Sequence, residues 1–411
     1  MGLAEYLRAF LHDLRAHRLR SSLTVLGIAW GTVAVVVLLA FGVGLERQTL
    51  ENFHGLGERI VLLFGGRTTV PHAGFPDGRT VRLTEEDGEA LRREVPEIVR
   101  MSAEYSERDV PVRHGRESAS PNITGVEPVY GRLRNVIAQR GGRFLNRLDM
   151  EGRRRVAVLG DDLAGLLFGG DDPVGRRVRV GRTPFLVVGV MKPKVQNSSY
   201  DSRDEDRIFI PATTHRALFG DRYVANFVYR TADPSRTKAV EREVYEVLGA
   251  RHRFDPADED ALGVWDTVEW EQEFGYLFFG FKLFFALVGS FTLSVGGIGV
   301  ANIMYIVVRE RMPEIGLRRS VGARKRDILV QFLSEAGGIV LLGAVAGFLA
   351  SVGIVELLSL VPMDEYVGTP TVSPLVIGVT VALLGGIGLA AGWFPARQAA
   401  RLDPVECIRD A

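Results

Sequence analysis

The sequence predicts an integral membrane α-helical protein: four transmembrane helices carry a large extracytoplasmic α+β domain in which one part is inserted into another. Three observations predict it. Four apolar runs are each long enough to cross a bilayer, the short segments between them are biased in Lys and Arg, and a charged, turn-rich stretch of more than two hundred residues separates the first run from the second. The 411 residues balance 50 Lys and Arg against 50 Asp and Glu, yet the 46% that are hydrophobic collect in the runs. Without a basic block the chain is a poor nucleic-acid binder, because neutralising phosphates needs clustered cations.

The first run, Ser21 to Leu45, carries no charge over 25 residues, and about 20 apolar residues suffice to span. It is too long for a signal-peptide core and no A-x-A site follows, so it reads as an uncleaved anchor. The other spans are expected at residues 276–308, with Lys282 near the start; at 328–358, with Glu335 and Glu356; and at 371–394, without charge. Residues 1–20 form an amphipathic segment with Arg8, Arg15, Arg18 and Arg20, and residues 309–327 hold seven basic groups against three acids, which places both in the cytoplasm. The 359–370 loop has Asp364 and Glu365 and no cation, so it and residues 46–275 are expected outside, with both termini, including the 395–411 tail, inside.

Small residues recur at helical spacing in the spans: Gly27/Gly31, Gly297/Ala301, Gly343/Gly347 and Ala382/Gly386/Ala390. Such faces serve packing within the chain or self-association, and Gly27/Gly31 is one candidate contact between copies. Glu335, about two turns in from the cytoplasmic end, reads as an interfacial carboxylate answering a nearby Arg. No other ionisable group sits well inside a span, which argues against an ion-coupled carrier.

Residues 46–275 read as mixed α and β. A strand over Arg59 to Phe64, a helix over Leu83 to Val95 with Thr84 as N-cap and Asp87 completing a capping box, and a strand at Ile98 to Ala103 make one unit. A strand at Val224 to Arg230 and a helix opened by Asp233-Pro234, with Val240, Val244, Val247 and Leu248 on one face, make a second. Between them, about 118–220, short strands at Val156–Leu159, Val178–Val180, Phe185–Val190 and Ile208–Ile210 alternate with Gly, Pro and Asp clusters, as an inserted β-rich part would.

Signals for catalysis are weak. The single Cys407 excludes a disulfide framework, and the seven His residues show no metal-ligand spacing. None of the five Lys residues follows Gly, so no P-loop cradles ATP. Asp161-Asp162 and Asp171-Asp172 read as helix cap and turn, and Asp201, Asp204, Glu205 and Asp206 as a solvated loop, since the Gly and final Glu of a calcium loop are missing. No catalytic residue, metal ligand or directly bound cofactor is expected.

Arg20-Ser-Ser-Leu-Thr-Val-Leu-Gly-Ile28, Gly297-Ile-Gly-Val-Ala-Asn-Ile-Met304, Glu314-Ile-Gly-Leu-Arg-Arg-Ser-Val-Gly-Ala323 and Phe394-Pro-Ala-Arg-Gln-Ala-Ala-Arg-Leu-Asp-Pro404 resemble the MacB/FtsX-type ABC transporter permeases. Ile123-Thr-Gly-Val-Glu-Pro128, Val156-Ala-Val-Leu-Gly160, Leu167-Phe-Gly and Asp172-Pro-Val-Gly175 are similar to the MacB-like periplasmic core domain. The resemblance implies a homodimer or heterodimer of four-span subunits in the bacterial inner membrane, with a porter-like outer part interrupted by the β-rich insertion. It implies that ATP and Mg are used by a separate cytoplasmic ABC ATPase, not by this chain, which lacks the fused ATPase domain, and that a periplasmic adaptor takes part. The expected function is mechanotransmission driving efflux; lipoprotein release and FtsX-like regulation of a cell-wall hydrolase are the alternatives.

Between spans two and three, Met312 to Ala323 reads as a short cytoplasmic helix, with Pro313 at its first position and Gly322 at its stop. In the family this segment resembles the helix that couples to the ATPase. The expected coupling residues are Glu314, Ile315, Gly316, Leu317, Arg318, Arg319, Val321, Gly322 and Ala323.

Overall fold

The computed structural model describes residues 18–194, 196, 199–360 and 368–402. Asp364, Glu365 and Cys407, and the segments 1–17 and 403–411, lie outside the described residues. The chain runs α1 (Arg18–Leu56), β1 (Val61–Gly65), α2 (Glu85–Glu94), β2 (Ile98–Glu107), β3 (Val112–His114), β4 (Glu117–Ala119), β5 (Ile123–Val126), β6 (Val156–Leu159), α3 (Asp161–Phe168), β7 (Arg177–Val180), β8 (Thr183–Val190), β9 (Ile208–Pro211), α4 (Ala212–Phe219), β10 (Asn226–Thr231), α5 (Thr237–His252), β11 (Leu262–Asp266), α6 (Thr267–Glu310), α7 (Met312–Ser320), α8 (Lys325–Ser359) and α9 (Pro374–Arg401), with short helical turns between. It divides into two units, Thr49–Phe274 and Met1–Gln48 with Gly275–Ala411.

In the second of these units, α1, α6, α8 and α9 are the four helices among the described residues that are long and apolar enough to cross a membrane. Both α1 and α6 extend past the expected spans, because no Pro or Gly interrupts 46–54 or 267–274. Lys282 is not free in its apolar run: its Nζ donates to Glu46 Oε2 at 2.8 Å. The fourth span is shifted. It starts at Pro374, behind the N-cap Ser373, and continues through Pro395 to Arg401. Pro395 removes one backbone hydrogen bond, but Ala396, Ala399 and Ala400 beyond it are buried in the bundle core, and that packing holds the extra turns.

The Gly27/Gly31 face is a contact within the chain. A Cβ on Gly31 would lie 2.9 Å from the Leu293 backbone, and one on Gly27 3.6 Å from Gly296, so this face seats α1 on α6. Gly343 and Gly347 receive the other side of α1 at Ile28 and Ala29. The exposed Gly386, by contrast, has nothing within 4 Å.

The unit Thr49–Phe274 holds one eleven-stranded sheet in the order β11-β1-β10-β2-β5-β9-β6-β8-β7-β3-β4. The β-rich part expected as a separate insertion at about 118–220 is joined to the flanking part by strand pairing: β2 meets β5 from Glu104↔Val126 to Glu107↔Ile123. It also draws in β3 and β4, upstream of or straddling 118, because Val112 and Arg113 pair with β7. Side-chain alternation explains how one sheet serves both parts. Leu63, Met101 and Phe227 face one core with Val240, Val244 and Leu248 of α5; Ile208 and Ile210 face another with Leu163 and Leu167 of α3. Their neighbours Leu62, Val228, Val126, Val158 and Phe209 meet in a third core on the reverse face, common to both parts.

The capping box of α2 forms as expected, and it is reinforced from α5. Burial works against the charge on Asp87, but His252 Nε2 at 2.8 Å and Arg251 Nε at 2.6 Å hold its carboxyl down to about 2. Because the folded carboxylate binds a proton more weakly than the unfolded one, its stabilisation, about 2 kcal/mol at most, is present above roughly pH 4 and lost as pH falls toward 2. Acid titration of the intact chain should therefore show a loss of protection in Thr49–Phe274 across that window. The Asp87→Asn variant should be less stable at neutral pH and flatter below pH 4.

Candidate functional site

Within the segment Met312 to Ala323, α7 occupies Met312–Ser320 and has defined ends. Pro313 lies in its first turn, where a missing N–H is harmless, and Gly322 at φ +102 closes it. The bonds Ala323 N to Arg318 O at 3.0 Å and Gly322 N to Arg319 O at 3.2 Å complete a Schellman stop.

Helical spacing sorts the expected coupling residues onto two faces. Ile315, only 2% exposed, and Gly316 turn inward, where Ile315 joins Val307, Ile328 and Phe332 in the bundle core. Arg319 also turns inward, and its Nη1 donates to Ala400 O at 3.3 Å and to Leu402 O, at the end of α9. Leu317 and Val321 point out, 62% and 83% exposed. They border a groove of about 440 Å³ lined also by Arg318, Ala323, Ile328 and Gln331. Glu314 stands on this outer side, 3.9 Å from Arg318. Of the nine residues, Ile315, Gly316 and Arg319 thus fasten the helix, Glu314, Leu317 and Val321 are exposed on its outer side, and Arg318 lies on that side with its Nη1 bonded to Gln331 Oε1 at 2.7 Å.

Glu335 does answer a cation: Arg311 Nη1 lies 3.1 Å from its Oε1. Gln331, one turn earlier on α8, is not among the expected coupling residues, although a lone amide at the edge of an apolar run is a readable signal.

The acidic stretch 201–206 is solvated only in part, with Asp206 exposed and Asp204 not. Asp204 is fully buried and bonded to Arg134 Nη2 at 3.0 Å and Lys194 Nζ at 2.6 Å. Arg207, also buried, donates to Glu104 Oε1 at 2.8 Å, and Tyr200 donates to Glu104 Oε2 while its ring lies under both Arg134 and Arg207. Burial opposes the charge on Asp204, but Arg134, Lys194 and Arg207 hold its carboxyl well below the usual range, whereas burial pushes the Lys194 ammonium down to about 8. Since Glu104 belongs to β2 and Arg207 precedes β9, the cluster ties the flanking part of the sheet to the inserted part. Among the described residues, no three His, Cys, Asp or Glu gather as a metal site.

Residues 21–247 match the MacB-like periplasmic core domain and residues 286–404 the FtsX-like permease C-terminal. The chain is 34% identical over 411 residues to the macrolide export ATP-binding/permease protein MacB 1/2 of Paracoccus denitrificans, covering 99% of the chain and 59% of that protein. To the corresponding MacB of Bdellovibrio bacteriovorus it is 31% identical over 413 residues, 99% and 62% of the two lengths. It therefore spans about three fifths of the curated relatives it matches. The solved periplasmic region of MacB from Actinobacillus actinomycetemcomitans covers 55% of the chain and 97% of its own length, at 19% identity and a TM-score of 0.44.

Proposed function

The chain belongs to the MacB-like, FtsX-like family of ABC transporter permeases, and from that premise we propose that it is the membrane subunit of an exporter whose ATPase is a separate cytoplasmic protein. ATP and Mg act on that partner; a second permease copy, or a homologue, and a periplasmic adaptor complete the assembly. Closure of the ATPase moves α7, and the movement reaches the extracytoplasmic unit to drive efflux of a periplasmic or membrane-associated substrate. The observation that carries this reading is α7 itself: a nine-residue helix, clamped at Ile315, that offers Leu317 and Val321 beside an open groove. A loop that served only as a positive topogenic signal would need its arginines but no exposed apolar pair.

Leu317→Asp tests it. The charge desolvates poorly in an apolar contact, so copurification of the ATPase should fall at least about tenfold while membrane insertion is retained. Undiminished ATPase binding would remove α7 as the contact. The proposed orientation has its own check in a chain carrying Cys407→Ser: Ser120→Cys should react with impermeant thiol reagents in intact cells and Ser320→Cys should not, both positions being exposed.

A further inference from the structure

Two polar contacts join α7 to α8, and a third links their acceptors within α8. Arg311, at the N-cap of α7, donates from Nη1 to Glu335 Oε1 at 3.1 Å. Gln331, on the same face of α8 one turn earlier, donates from Nε2 to that oxygen at 3.2 Å. Arg318, two turns along α7, donates from Nη1 to Gln331 Oε1 at 2.7 Å. Gln331 and Glu335 are buried, and Arg311 is only 17% exposed.

We infer that Gln331 and Glu335 are positioning residues that fasten both ends of α7 to α8, so that a load on Leu317 and Val321 is delivered to a spanning helix. The inference rests on the reading of α7 as the ATPase contact. A nine-residue helix does not hold itself together in isolation, and one apolar anchor at Ile315 is a pivot, because hydrophobic contact has no direction. Attachments at Arg311 and Arg318, seven residues and therefore roughly 10 Å apart along the helix, oppose tilting about that pivot. Stability does not call for this arrangement. Well-packed apolar side chains at the same places would hold the helices as firmly, since a buried ion pair scarcely recovers its desolvation. What hydrogen bonds add is a fixed register between two helices. Arg319 gives a third attachment, to carbonyls at the C-terminus of α9, where a cation is favoured.

The test uses the full chain with the ATPase that copurifies with it, reconstituted in nanodiscs, and three readouts: ATPase stoichiometry, ATP hydrolysis, and the ATP-dependent change in hydrogen exchange across Thr49–Phe274. Glu335→Met, at a residue that does not line the groove, removes two of the three bonds at similar volume. It should keep the ATPase and its hydrolysis within about twofold while the exchange response falls about tenfold. Glu335→Gln, which keeps an acceptor for Arg311, should retain at least about half the response. An unchanged response in Glu335→Met overturns the inference. So does loss of the ATPase along with the response, which marks Glu335 as merely structural. If the unmodified complex shows no ATP-dependent exchange, the reading of α7 fails and this inference with it; a loss confined to Glu335→Met supports both.

Discussion

Replacing Asp204 with alanine is expected to destabilise the unit Thr49–Phe274 by about 3–5 kcal/mol, because Arg134 and Lys194 would be left buried without their shared carboxylate. Arg134 has little reserve. Its Nε and Nη1 already lack a hydrogen-bond partner, and Tyr200 supplies only a ring face at 4.9 Å. The loss should appear in the intact chain as a raised rate of pulse proteolysis within this unit, with helix content of the spans unchanged. The double variant Asp204→Leu with Arg134→Met should recover part of the stability, since it removes both charges at once. A cost below about 1 kcal/mol for Asp204→Ala would mean that water reaches the cluster and that it does not tie the two parts of the sheet.

Gly347→Leu is expected to cost about 3 kcal/mol or more in the bundle. A Cβ alone at this position would come within 2.5 Å of Ala29 O and 2.7 Å of Thr32 Cβ, and backbone on a packed helix cannot yield as a side-chain tip does. Lower yield and a reduced midpoint of thermal unfolding in mild detergent are the expected signs. Gly386→Leu is the matched control: nothing lies within 4 Å, and exchanging a helical Gly for Leu should be neutral or stabilising by about 0.5–1 kcal/mol. If the two behaved alike, the helix contacts at Gly343 and Gly347 would be misassigned.

Four spans, the capping box at Thr84, and the Pro313-to-Gly322 helix were legible in the sequence because each rests on local physics: unbroken apolar length, a side chain reaching its own first turn, a residue that tolerates positive φ. What was not legible depends on partners distant in sequence. Asp204 reads as solvent-facing among its acidic neighbours until Arg134, 70 residues earlier, and Glu104 come into register beside it. Arg203 and Arg207 interleaved with the acids, next to Tyr200 and a strand, were the one local hint. Gly27/Gly31 gave a true signal of close approach but not the identity of the approaching helix, which is α6 of the same chain. Likewise the periodicity of α7 exposed its two faces only once Ile315 was seen to be the inward one.

On the proposed reading, ATP hydrolysed by a partner moves the extracytoplasmic unit through α7. Nitroxides placed at Ser120→Cys in a Cys407→Ser chain, in two copies reconstituted with the ATPase, allow it to be measured by pulsed dipolar spectroscopy in nanodiscs. Trapping the ATPase with ATP, Mg and vanadate is expected to shift the distance distribution between the copies, and Leu317→Asp to abolish the shift. A distribution unchanged by trapping, or one that shifts on adding ATP to the permease without the ATPase, would contradict it.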